Sequence, residues 1–195
     1  MAKTDPLHVG DAKTLRADLR TQSYSSGDWS AWADTTLTAA TILVFEVGAE
    51  VLGTADSGTA ATVVDASLSA VADFYNGLVL EFTSGDNEGE KRKISDYDGA
   101  GELTIDVTTD PLPATPAAGD TFRVLGYPII PEQSLTGHAD GSTDGAIAHF
   151  QLTSANGATA TPRTIRAVIA SSWSGADSNT DIETEVYTYA ILPVM

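Results

Sequence analysis

Three histidines, His8, His138 and His149, are the only side chains with an ordinary pKa near neutrality, and cysteine is absent. A nucleophile activated by a base would have to pair a serine or threonine with one of these imidazoles, yet no Gly-x-Ser-x-Gly elbow frames a serine. Paired carboxylates occur throughout so acidic a chain, but in turn-like positions that favour solvation over acid/base chemistry. Hard-cation chemistry needs clustered oxygen ligands. Asp140 and Asp144, flanked by His138 and His149 in Asp140-Gly-Ser-Thr-Asp144-Gly145, come nearest, with the acidic turns 86–90 and 96–98 as looser matches. The loop lacks the D-x-[DN]-x-[DN]-G order and the distal glutamate, so it reads first as a turn and only weakly as a metal site. The expectation is a non-enzymatic protein with no cofactor.

Aromatic residues offer a different chemistry. Trp29 and Trp32 lie in the Ser/Gly/Asp/Ala-rich stretch 23–36, which has no strand pattern to bury them, and Trp173 lies in a similar stretch, SSWSGADSN. Each is either a core tryptophan or an anchor for a subunit or a sugar ring. Trp29 and Trp32, with Tyr187 and Tyr189 of the C-terminal strand, form the charge-poor aromatic region expected to face partner subunits. The basic residues fall into two sets, Lys91-Arg92-Lys93 and Lys13, Arg16 and Arg20. Both are expected to pair with carboxylates of a neighbouring strand or subunit.

The elements that must carry these residues are strands. Leu15, Ala17 and Leu19 alternate with Arg16, Asp18 and Arg20, and Leu103, Ile105 and Val107 alternate with Glu102, Thr104 and Asp106. Further candidates are 41–47, 78–83, 90–96, 121–125, 146–152, 163–169 and 182–191, making at least eight strands. Glycine, asparagine, aspartate and proline punctuate them at 84–89, 96–99 and 111–116. One stretch, 67–75, spaces Leu68, Val71 and Tyr75 for a helix of one or two turns behind a possible Ser67 cap. Threonine at 25 and glycine at 17 against 4 lysines also favour strands and turns.

The whole sequence, 195 residues with 10 basic and 27 acidic side chains, carries a net charge of −17, which disfavours nucleic acid and anionic membrane as partners. With 42% hydrophobic residues it is too apolar to be disordered. No run approaches the roughly 18 apolar residues of a membrane span. The polar start MAKTDPLHVGD has no apolar signal region, so the mature chain is expected to begin near Met1. Small polar residues at 53–61 and the proline-bearing 126–131 suggest boundaries, with the prolines reading as a linker or sheet edge. Residues 1–50, 51–126 and 127–195 carry −3, −9 and −5.

Residues 51–126 contain DFYNGLVLEFTSG at 73–85, a Gly-Glu-Lys-Arg step leading into Ile94-Ser-Asp-Tyr-Asp-Gly99, and Pro116-Ala-Ala-Gly-Asp-Thr-Phe122. This stretch resembles a small β-module of structural proteins of tailed bacteriophages. HVGDAKTLRADLR and ATILVFEV are similar, more weakly, to the first sandwich strands of phage baseplate and decoration proteins. The resemblance covers about two fifths of the chain. The expected fold is all-β: a small β-barrel at 51–126, with Phe74, Tyr75, Leu78, Leu80, Phe82, Ile94, Leu103, Ile105, Phe122 and Val124 in its core, and an Ig-like β-sandwich built jointly from 1–50 and 127–195. The resemblance implies a capsid decoration or cement protein on the outer surface of the virion. The alternatives are a tail or baseplate protein, or a carbohydrate-binding adsorption module. Implied partners are the major capsid protein or tail proteins, and further copies of the chain in a homo-oligomer, a trimer among the options.

Overall fold

The computed structural model describes residues 5–8, 13–18, 20–21, 24–25, 28–29, 33–34, 39–105, 110–135, 141–144, 147–152, 163–174 and 180–192, with side chains at 15, 39–105, 110–135 and 164–171. Among these residues the regular structure is strand, with no α-helix. Two units form, one from 1–43 with 133–195 and the other from 44–132. Both changes of unit fall inside long strands, Ala39–Thr54 (β7) and Thr121–Ser134 (β13).

The first unit begins with Asp5–His8 (β1) and Lys13–Asp18 (β2), followed by the two-residue strands Arg20–Thr21 (β3), Tyr24–Ser25 (β4), Asp28–Trp29 (β5) and Ala33–Asp34 (β6). Its later strands are Gly141–Asp144 (β14), Ile147–Leu152 (β15), Arg163–Ser174 (β16) and Thr180–Leu192 (β17). The β16–β17 hairpin pairs antiparallel from Arg163↔Ile191 to Ser174↔Thr180, and β1 adds parallel to β17. A second sheet runs β14-β15-β2. Ile165, Ala167 and Ile169 are buried at period two while Thr164 and Arg166 are exposed, the half-buried pattern of a sheet with one apolar face.

The second unit is one sheet, ordered β7-β13-β10-β11-β12-β9-β8, where β8 is Ser57–Gly58, β9 Thr62–Val64, β10 Val79–Phe82, β11 Lys91–Tyr97 and β12 Glu102–Ile105. Its pairings along β13-β10-β11-β12-β9-β8 are antiparallel. Leu80, Phe82, Ile94, Leu103, Ile105, Phe122 and Val124 fill the core, with Phe82 and Phe122 at 6.3 Å between ring centres. The register shift between Ile94 and Asp96 turns Tyr97 inward, although simple alternation from Ile94 would send it out.

The helix expected at 67–75 is a series of turns. Asp65 accepts from the Ser67 amide and hydroxyl at 2.8 and 2.6 Å, while the amides of Phe74 and Asn76 bond back to Val71 and Asp73, three residues earlier. Asp73 sits in the left-handed region at φ 63° and gives its amide to Tyr97 of β11, so the helical ladder cannot propagate. The prolines of 126–131 also behave differently from a linker. Pro128 and Pro131 continue β13, whose pairing with β10 ends at Leu125, so their missing N–H groups deprive β10 of nothing.

Candidate interaction surface

Along β13 the side chains of Phe122, Val124 and Ile130 are buried, so Arg123, Leu125 and Tyr127 lie on the other face of the sheet. Arg123 stands opposite Glu81 of β10, and Glu81 stands opposite Lys91 of β11. The Arg123 guanidinium reaches Glu81 Oε2 at 2.9–3.0 Å through two nitrogens and Glu50 Oε1 of β7 at 2.9 Å. Lys91 Nζ lies 3.5 Å from the same Glu81 oxygen. Four adjacent strands thus carry a row of alternating sign: Glu50, Arg123, Glu81, Lys91. Pairs at a solvated surface add little stability, so register is their main effect. Glu81, and then Glu50, hold the guanidinium in its charged form and raise its pKa against its loss of hydration.

Beside the charged row lies an apolar one. Val79 faces Leu125 across β10 and β13, and both are half-buried. Tyr127, two residues beyond Leu125, is 47% exposed and meets the Phe74 ring edge-on at 5.7 Å. Phe74 meets Tyr75 edge-on at 5.0 Å and Tyr75 meets the buried Tyr97 edge-on at 4.8 Å, so the exposed ring is anchored through a chain of aromatic contacts. Burial raises the phenol pKa of both Tyr75 and Tyr97, and the Tyr97 hydroxyl donates to the Ser69 carbonyl.

The remaining polar groups of this unit hold its loops. Arg92, whose side chain is 10% exposed, bonds the carbonyls of Asp110 and Pro111 at 2.8 and 3.1 Å and the carboxylates of Glu90 and Asp110 at 2.8 and 3.2 Å. A sequestered guanidinium is tolerable only when its donors are met this fully. Lys93 pairs with Glu132 at 2.8 Å. Buried Asn87 exchanges two hydrogen bonds with Ala114, and buried Asp65 accepts from the Thr54 and Ser67 amides and the Ser67 hydroxyl. Every member of the Lys91-Arg92-Lys93 triplet therefore has a carboxylate partner within its own unit.

The other sequence-derived site residues all belong to the segments of the first unit. Trp29 pairs with Tyr24 in the β4–β5 ladder; Tyr187 lies opposite Ala167, and Tyr189 lies opposite both Ile165 and Asp5. Asp144 ends β14 opposite Ile147, whereas Trp32, Asp140 and His138 lie outside the described residues. His149 stands opposite Ser142 and Arg16, His8 opposite Leu192, Arg20 opposite Asp34, and Trp173 opposite Asp181. Among the described residues no three His, Cys, Asp or Glu side chains converge as a metal site. Sequence reading passed over Glu50, Glu81, Arg123 and Tyr127, because the contacts joining the first three span 42 and 73 residues and carry no local signature.

No protein-family model, curated protein or solved structure matches this chain.

Proposed function

We propose that the chain is a non-enzymatic structural component of a tailed-bacteriophage virion, and within it a capsid decoration, or cement, protein on the outer surface. Beyond the resemblance of 51–126, one observation supports this reading. The second unit engages all four of its cations, Lys91, Arg92, Lys93 and Arg123, with its own carboxylates. Its sixteen carboxylates against those four cations leave a net charge of −12. A self-braced, acidic module of this kind suits the outside of a particle, away from packaged DNA.

In this reading residues 51–126 make a small barrel, and 1–50 with 127–195 make an Ig-like sandwich. Trp29, Trp32, Tyr187 and Tyr189 are the residues assigned to the particle contact, with the major capsid protein and further copies as partners. A tail or baseplate position is the second reading, since the same β-module resembles those proteins.

The test is purified particles from the phage that encodes the chain, analysed by mass spectrometry and by density on the intact virion. Stoichiometric density on the head shell supports the proposal. Density confined to the tail replaces it with the second reading, and absence from particles overturns both. Sub-micromolar DNA binding at about 150 mM salt, where phosphate contacts are already weakened, is equally incompatible with it.

A further inference from the structure

We propose that the outer face of β7, β13, β10 and β11 docks on the same face of a second copy of this chain, about a two-fold axis that runs along the strands. The proposal does not rest on the virion reading. Across these adjacent strands the charges of the outer face run minus, plus, minus, plus, with Glu50 and Lys91 exposed at the ends and Arg123 and the largely covered Glu81 between them. An axis parallel to the strands, passing between Arg123 and Glu81, reverses that order in the second copy. Glu50 then meets the second copy's Lys91, and Arg123 meets the second copy's Glu81, so all four positions face opposite charge. A two-fold axis laid along the row would instead set like on like. Charge therefore selects one orientation.

The apolar row obeys the same symmetry. Leu125 and Val79 stand opposite each other on β13 and β10, so the rotation places Leu125 on the second copy's Val79 and Val79 on the second copy's Leu125. An isologous contact requires this self-complementarity. Facing sheets that pack in alignment, about 10 Å apart, give both sets of side chains room to meet. Glu50 and Lys91, at 38% and 55% side-chain exposure, keep enough free surface to reach across.

Long-range repulsion between two units of −12 opposes the encounter, but the row itself is neutral. Added salt screens that repulsion over a Debye length of about 8 Å at physiological strength, so association strengthens from low to physiological salt. The two rows, six side chains in all, offer less than the standard interface of about 1,600 Å². The pair is accordingly weak, and it is measured at high protein concentration.

The experiment is sedimentation equilibrium on the full chain, on Glu50→Lys, on Lys91→Glu, and on an equimolar mixture of the two variants. Glu50→Lys alone faces lysine with lysine, and Lys91→Glu alone faces glutamate with glutamate, so each is expected to remain monomeric where wild type pairs. Mixing the two restores both cross-contacts and is expected to yield a heterodimer, which a damaged fold could not do. A wild type that stays monomeric, variants that still self-associate, or a mixture of folded variants that stays monomeric would each overturn the proposal. If either substitution unfolds the chain, wild-type protein alone decides. Its amide shifts at Val79, Glu81 and Lys91 must move with concentration, and movement confined to other residues refutes the face.

Discussion

Asn87 and Ala114 are joined by a reciprocal pair of hydrogen bonds, Nδ2 to the carbonyl at 2.9 Å and amide to Oδ1 at 3.0 Å, across 27 residues of sequence. The buried amide imitates one rung of a β-ladder and thereby fixes the loop that carries Leu112 into the core. Asn87→Ala is expected to cost about 1–3 kcal/mol, the penalty for leaving buried polar groups unmet. Urea unfolding measures the loss. Amide exchange should show Ala114 opening ahead of strands β10 and β13, and unchanged protection there would contradict the bracing role.

Phe82 and Phe122, opposite each other on β10 and β13, are the largest apolar pair at the centre of the second unit. Phe82→Ala is expected to destabilise that unit by about 3–5 kcal/mol through lost burial and the cavity left behind. A loss below 1 kcal/mol in chemical denaturation would mean that the site collapses without cost.

Asp65 links stability to acid. Burial pushes its carboxyl pKa up, but the Ser67 hydroxyl and the amides of Ser67 and Thr54 outweigh that and hold it below the ordinary 3.8. A group whose pKa is lower folded than unfolded stabilises fully above the unfolded value, and that contribution drains away as pH falls through the folded one. Wild type should therefore lose stability below about pH 3.8, and Asp65→Asn should flatten the curve in that region. Parallel curves for the two proteins would remove Asp65 as a cause.

Gly101 and Gly89 both hold positive φ, 112° and 85°, in different surroundings. A Cβ at Gly101 would lie 2.6 Å from the Asp65 carbonyl oxygen, whereas one at Gly89 meets nothing within 4 Å. Gly89→Ala should cost only the left-handed penalty of about 1–2 kcal/mol. Gly101→Ala should cost more, because the Asp65 backbone cannot step aside without breaking its amide's bond to the Gly101 carbonyl. Equal melting temperatures for the two variants would contradict this ranking.

Period-two burial holds at Leu80, Phe82, Leu103, Ile105, Phe122 and Val124, and at Ile94 up to the bulge that follows it, which made these residues legible as core. The pattern failed where tertiary bonds overrode local spacing. Val71 and Tyr75 have helical spacing, but Asp73 gives its amide to Tyr97, and Tyr97 itself is turned inward by a bulge that has no sequence marker. Pro128 and Pro131 read as a break because proline cannot donate to a ladder, yet β13 continues past the end of its β10 pairing, where β10 needs no donor. The paired state of Lys91-Arg92-Lys93 was readable as chemistry, but its partners Glu81, Asp110 and Glu132 were not readable as positions.

All three tryptophans, Trp29, Trp32 and Trp173, belong to the segments of the first unit, while the second unit has tyrosine as its only strong ultraviolet chromophore. The first unit can therefore be followed by itself in solution. Indole emission under tryptophan-selective excitation follows the first alone, whereas near-ultraviolet dichroism, to which the Tyr75–Tyr97 edge contact contributes, follows both. A single heating experiment read in both channels would reveal whether the chain melts once or twice, with no label or truncation required.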